Sequence, residues 1–174
     1  MELLDIYDYN NKLVDKGIDR KKVHEKGMWH RESVVIVMNE KKQILLQKRS
    51  YQRHNYPGKW GLIAGHVFSG DNPKKTAVRE LKEEIGLKIL PTDLKFLKIY
   101  IKNTKSNKAF IYIYLLITNI KENEFNIQKE ELTEVKYYNI DTLIKRIKEN
   151  DKSLVFGGDN SHIELFTQIK DFTI

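Results

Sequence analysis

Three glutamates fall within five positions of one amphipathic stretch, and that crowding constrains this chain more than any other feature. The stretch, GHVFSGDNPKKTAVRELKEEIGL, runs from Gly65 to Leu87. A helix fits Pro73–Ile85, with Pro in the first turn, where its missing N–H costs nothing, and Gly86 just past the last turn. At about 100° per residue, with Glu80 at zero, Glu83 falls near 300° and Glu84 near 40°, so the three carboxylates share an arc of about 100°. Ala77, Leu81, Ile85 and Val78 occupy the neighbouring arc, from about 60° to 160°, while Lys75 and Lys82 point away. Like-charged i,i+4 pairs destabilise a helix by a few tenths of a kcal/mol each, and stability alone would favour interleaved Lys. Hard divalent cations, Mg²⁺ above all, use clustered carboxylate oxygens and bridge them to substrate phosphates. A solvated acidic face balanced by Arg79 and nearby Lys is the competing reading.

The rest of the chain supplies a scaffold of intermixed strands and helices. Leu3–Asp8 and Lys12–Asp15 flank Asn10-Asn11 as a small hairpin, and Arg20–Lys26 reads as a short helix or turn ending at Gly27. Ser33–Asn39 and Gln43–Arg49 form a second hairpin around Glu40–Lys42, and Tyr56-Pro57-Gly58 breaks the chain before a strand at Trp60–Gly65. Leu94–Lys102 and Ala109–Thr118 are strand-like and joined by the polar turn NTKSNK. Glu134–Tyr138 is a short strand, Asp141–Glu149 a helix, and Ser161–Phe172 a helix with Ser161 and Glu164 as its capping box. Strands and helices do not alternate regularly, so a mixed sheet with packed helices is expected over a doubly wound parallel fold.

Length and composition narrow the class. The 174 residues suit one domain, and no Pro-, Gly- or Ser-rich linker or internal repeat divides them. The absence of cysteine excludes disulfide scaffolds, Cys-ligated zinc, iron–sulfur clusters and thiol nucleophiles. The start, MELLDIYD, is acidic, so no secretory signal is expected, and the apolar run Ala109–Ile117 is far short of the ~20 residues of a membrane helix. These features lead us to expect a cytoplasmic protein. The net charge of +7 attracts polyanions in general, but the lysines are scattered and outnumber arginines 25 to 6, which favours a solvated Lys-rich surface over a nucleic-acid arm.

The Gly65–Leu87 segment resembles the Nudix box, G-x5-E-x7-R-E-U-x-E-E-x-G-U, with U a bulky aliphatic residue. Gly65, Arg79, Glu80, Leu81, Glu83, Glu84, Gly86 and Leu87 fall on the pattern, and Asp71 stands where the pattern has Glu. The resemblance implies an α+β protein, an α/β/α sandwich of Nudix type with a mixed central β-sheet. The N-terminal β-hairpin and C-terminal helix would decorate it. It also implies that Glu80, Glu83 and Glu84 hold Mg²⁺ or Mn²⁺ and that Arg79 braces the loop–helix–loop. The shorter Asp71 puts an ion pair with Arg79 in question more than the metal site. Residues 1–29 would form an N-terminal extension, 30–150 the Nudix core and 151–174 a C-terminal helical segment of one domain.

Residues 2–88, including the run from LLDIYDYNN to QILLQKRS and then YPGKWGLIAGHV, are similar to the isopentenyl-diphosphate-isomerase-like branch of these proteins. Those isomerases carry an active-site Cys just before the Gly-His pair and a second metal site of histidines and two glutamates. Here Ala64 stands at the Cys position. His30 and His66 match the isomerase histidines, His24 is one residue closer to His30 than the pattern, and the two glutamates are absent from Tyr100–Leu116. With its thiol missing and its hydrolase box nearly intact, the chain reads as a hydrolase on an isomerase-like scaffold.

The implied reaction is metal-dependent cleavage of a diphosphate bond in a nucleoside-diphosphate-like or other organic pyrophosphate. His66, Lys48, Arg49 and Trp60 are the candidate substrate contacts. Trp29 and Trp60 also fit a core or pocket wall, and Lys48 and Arg49 also fit a solvated strand end. The proton acceptor is left open among Glu80, Glu84 and the later Glu130, Glu131 and Glu134. No nucleic-acid or membrane partner is expected, and a homodimer is among the compatible assemblies. An isomerase and a non-catalytic nucleotide-binding module remain the alternative functions.

Overall fold

The computed structural model describes residues 2–105 and 107–172, which form two compact units. The first unit comprises residues 2–35, 64–81, 88–105 and 107–115. Strands β1 (Leu3–Tyr7) and β2 (Leu13–Asp19) make the expected N-terminal hairpin, with β2 running four residues further than its predicted end at Asp15. The Asp8 carboxylate closes the turn by accepting from the Asn10 and Lys12 amides, and Asn11 takes the left-handed conformation that asparagine tolerates. Helix α1 (Arg20–Glu25) follows at once, because the Asp19 carboxylate caps the Lys21 and Lys22 amides. Leu4, Ile6 and Val23 are buried together, with Ile18, Met28 and Phe68 packed against them.

Strand β3 (Trp29–Met38) begins four residues before the predicted Ser33 and pairs with β1 through Tyr7 and Trp29. Its early start is sustained by packing: Trp29 stacks on Phe110 with centroids 4.8 Å apart. The predicted strand Trp60–Gly65 is two strands, β5 (Trp60–Gly61) and β6 (Ile63–His66). Strands β7 (Lys95–Asn103) and β8 (Lys108–Ile117) pair antiparallel from Lys95–Leu115 to Asn103–Lys108. The turn read as NTKSNK lies between them, and its Ser106 falls outside the described residues.

The second unit comprises residues 36–63, 82–87 and 116–172. Strand β4 (Gln43–Arg49) pairs along its length with β9 (Leu132–Asn139), from Gln43–Asn139 to Arg49–Leu132, and near its end with β5 through Lys48–Trp60. Helices α3 (Ile140–Lys148) and α4 (Asn160–Lys170) bury Leu143, Ile147, Leu165, Phe166 and Ile169. The capping box expected at Ser161 is corrected: Asp159 is the N-cap, its carboxylate accepting from both the amide and the hydroxyl of Ser161, which lies inside the first turn.

The glutamate helix, α2 (Pro73–Ile85), spans the residues predicted for it. Ala77, Leu81 and Ile85 are fully buried, as the apolar arc requires. Gly86 leaves the helix in the left-handed conformation, and a Cβ there would come within 2.8 Å of the Asn126 side chain. The incoming loop takes up the carbonyls of the last turn, with the Asn126 amide donating to Ile85 and the Gln128 amide to Glu84. Among the described residues no helix is long and apolar enough to cross a membrane.

Candidate functional site

The three glutamates of α2 differ in environment. Glu80 and Glu84, one turn apart, are 8% and 4% exposed, whereas Glu83 is exposed to solvent. The difference follows from the helix wheel: Glu84 flanks the buried stripe, and Glu83 sits at the far side of the arc. Burying carboxylates is costly without compensation, and Glu80 has a specific arrangement. Its carboxylate lies on the backbone of Gly65, in space that a Cβ at that position would fill. Arg79 pairs with it at 2.8 Å, donates to the His66 carbonyl at 3.1 Å and stacks over the Phe68 ring at 4.1 Å. The first glycine, the arginine and the first glutamate of the RE pair are thus one packed element.

In the second unit, β4 and the segment before β9 bring basic and acidic groups together. Arg49 is half-buried; burial and the neighbouring Arg53 lower its pKa, against the opposing pull of Glu84 and Glu131. Its Nε donates to the Asn55 carbonyl at 2.8 Å. Arg53 pairs with Glu131 at 3.2 Å, and the Ser50 amide donates to the Glu131 carbonyl at 2.7 Å. Lys48 lies 3.8 Å from Glu134, its cross-strand partner, and over the ring of the buried Trp60. Of the three loop glutamates, Glu131 therefore shares an electrostatic neighbourhood with Arg49 and Glu84, while Glu134 is engaged by Lys48. Glu130 is exposed. A separate cavity of about 610 Å³, lined by Asn39, Gln43, Asn119, Glu122 and Tyr137 among others, contains none of the predicted residues.

A second cluster lies wholly within the first unit. His24 on α1, His30 on β3 and His66 on β6 place one ring nitrogen each within 4.8 Å of the others. His24 Nε2 and His66 Nε2 are 3.0 Å apart. His24 thus reaches the group despite its altered spacing, because the Asp19 cap sets α1 immediately before β3. His66, expected as a substrate contact, has its ring engaged here. Sequence reasoning missed Glu32, whose Oε1 lies 3.3 Å from His30 Nε2 and 3.7 Å from His66 Nε2. The available signal was the two-residue strand period, which puts Glu32 on the same face as His30. Burial pushes His66 down to about 3, so its imidazole is neutral. Burial opposes ionisation of Glu32, but hydrogen bonds from His30 and Asn107 and the adjacent imidazoles outweigh it and hold the carboxyl at about 2.

This combination of a glycine-bedded glutamate, its arginine brace and a second buried glutamate one turn on coincides with a family assignment. Residues 28–156 match the NUDIX domain. The chain belongs to the Nudix family. It is similar to Nudix hydrolase 3 of Arabidopsis thaliana, 37% identical over 129 residues, which are 68% of this chain but only 17% of that longer protein. An uncharacterized Nudix hydrolase of Clostridium acetobutylicum is 31% identical over 152 residues, 83% of this chain and 73% of its own. An isopentenyl-diphosphate Delta-isomerase of Pectobacterium atrosepticum is 26% identical over 133 residues, 75% of this chain and 73% of its own. The Nudix fold extends to a crystal structure of the Deinococcus radiodurans protein DR0079, with a TM-score of 0.76 at 19% identity over 96% of this chain and 98% of that one. The α+β class and mixed sheet expected from the sequence are those of this Nudix chain.

Proposed function

We propose that this chain hydrolyses a diphosphate bond in a nucleoside-diphosphate-like or other organic pyrophosphate, with Mg²⁺ or Mn²⁺ held by Glu80, Glu83 and Glu84. The carrying observation is the pair of buried glutamates one turn apart on α2, with Glu80 bedded on Gly65 and held by Arg79. An all-carboxylate donor set suits a hard cation that keeps several waters and bridges to phosphate oxygens. When bound, such a cation neutralises phosphate charge and lowers the pKa of a coordinated water.

The chain's own residues supply the remaining roles. Arg49 and Lys48, at the end of β4, attract the diphosphate, with Arg49 suited to fork onto phosphate oxygens. Trp60 walls the substrate side. Glu131 is our choice for the group that takes the proton of the attacking water, because its Arg53 pairing fixes it in the neighbourhood of Arg49 and Glu84. The small-molecule substrate needs no nucleic-acid or membrane surface, and the protein is assigned to the cytoplasm.

Purified protein assayed with Mg²⁺ against a panel of organic pyrophosphates tests this reading. Turnover lost in Glu84→Gln is expected; undiminished turnover in that variant overturns the assignment. The histidine cluster favours one second reading, an isomerase of the related branch, but Ala64 leaves that chemistry without its thiol. Conversion of isopentenyl to dimethylallyl diphosphate would reinstate it.

A further inference from the structure

We propose that the outer edge of β7 is a docking site for an extended acidic segment of another protein, added to the sheet as a further strand in which apolar side chains alternate with carboxylates. Among the described residues β7 pairs with β8 alone, so its far edge keeps N–H and C=O groups that no neighbouring strand takes up. The surface is independent of the α2 glutamates and of the reaction proposed for them.

The register of β7 against β8 sorts that edge chemically. Phe96 stands opposite Tyr114 and Lys98 opposite Ile113, so β7 spends two residues where β8 spends one, with Leu97 inserted as a bulge. Facing residues of an antiparallel pair share a face, and the face alternates along each strand. Past the bulge, Ile99 pairs with Tyr112 and Ile101 with Phe110, which puts both on the face of Tyr114 and therefore of Phe96. The rings agree: the Phe96 centroid is 5.7 Å from that of Tyr114 and 6.3 Å from that of Tyr112. Lys98, Tyr100 and Lys102 take the opposite face, across from Ile113, Ile111 and Ala109. An unbroken strand would have placed Phe96 among those lysines. On the apolar face Phe96, Ile99 and Ile101 are 50%, 39% and 57% exposed, a stripe of large side chains that folding leaves in water.

Two unlike faces on one open edge select the occupant. An added strand matches them because its own side chains alternate. Its apolar residues cover Phe96, Ile99 and Ile101, its carboxylates meet Lys98 and Lys102, and its backbone takes up the free edge. The surrounding field has the same sign, since residues 88–108 carry six lysines and a single acid, Asp93. A second copy of this chain fits poorly. Two β7 strands paired about a two-fold axis perpendicular to the sheet keep each face on its own side, which sets Lys98 and Lys102 of one copy directly or diagonally opposite those of the other. An anionic bilayer fits poorly as well, because lying on the apolar stripe it leaves these lysines on the far side of the sheet.

The probe is a short capped peptide of alternating valine and glutamate, titrated into isotope-labelled full-length protein, with the valine–lysine counterpart as control. The glutamate peptide is expected to shift the NMR signals of the β7 amides and slow their hydrogen exchange, and the lysine peptide to leave them unmoved. Lys98→Glu combined with Lys102→Glu should weaken binding by about tenfold or more, since the facing pairs pass from attraction to repulsion. Ile101→Ser should weaken it as well, and thermal melts of both variants verify that they fold. No shift at millimolar glutamate peptide, equal binding of the two peptides, or full binding by the lysine variant would overturn the proposal. So would dimerisation through β7 in sedimentation, or a preference for phosphatidylglycerol vesicles over the peptide. Glu84→Gln should bind the glutamate peptide like the wild type, so failure here and failure of the hydrolase reading are separable.

Discussion

Gly65 and Glu80 occupy each other's space: the carboxylate of Glu80 lies where a side chain at residue 65 would begin, and Arg79 holds it there at 2.8 Å. The glycine at the head of the box is therefore explained by the glutamate fifteen positions later. Gly65→Ala should displace Glu80 and destabilise the protein by about 1–3 kcal/mol, as overpacking does. Chemical denaturation measures that cost, and the loss of Mg²⁺-dependent turnover should exceed what the unfolded fraction accounts for. A fully stable and active Gly65→Ala would show that the contact carries neither role.

Metal should stabilise the fold through the α2 glutamates. A ligand that binds only the native state at 100 times its Kd contributes ~2.7 kcal/mol, so millimolar Mg²⁺ or Mn²⁺ should raise the melting temperature. Because Glu84 is buried and Glu83 exposed, Glu84→Gln should remove more of that increment than Glu83→Gln. Thermal melts of the three proteins with and without metal decide it; equal increments in all three would mean that the cluster does not hold the metal.

Arg53 should act on turnover by positioning Glu131. If Glu131 is the proton acceptor, Glu131→Gln lowers kcat by roughly 10²–10⁴. Arg53→Ala should lower kcat by less and leave KM nearly unchanged. A pure KM effect in Arg53→Ala would assign it to substrate binding instead.

The start of α4 offers a direct test of the corrected cap. Asp159→Ala should cost about 1 kcal/mol, whereas Ser161→Ala, which removes only a hydroxyl donated to Asp159, should cost less. Urea titration of both variants checks the order, and a larger loss in Ser161→Ala would restore the capping box.

Acid stability should depend on Asp151. The hydrogen bond from Arg146, at 2.8 Å, outweighs partial burial and, with Ser153, lowers its carboxyl to about 2 from an ordinary 3.8. A carboxyl held lower in the folded state contributes its full stabilisation above the unfolded value and loses it as pH falls toward 2. The stability difference between wild type and Asp151→Asn should therefore be largest above about pH 5 and shrink through pH 4 to 2. A pH-independent difference would remove Asp151 from the acid response.

Local rules were sufficient where the interactions themselves are local. The bounds of α2 follow from Pro73, the apolar period and Gly86, and the box was legible because its chemistry is fixed by spacing along one helix. The N-terminal hairpin and the strand at Gln43–Arg49 were readable for the same reason. Tertiary packing decided the rest. Trp29 extends β3 because Phe110 stacks on it, and the strand predicted at Trp60 divides because β5 pairs with β4. Glu80 and Glu84 are buried and Glu83 is not, a distinction that a helical wheel ranks but only neighbouring elements impose. Glu32 stayed hidden for the most general reason: a two-residue period shows which face a side chain takes, and only the fold brings His66 to that face from a distant part of the chain.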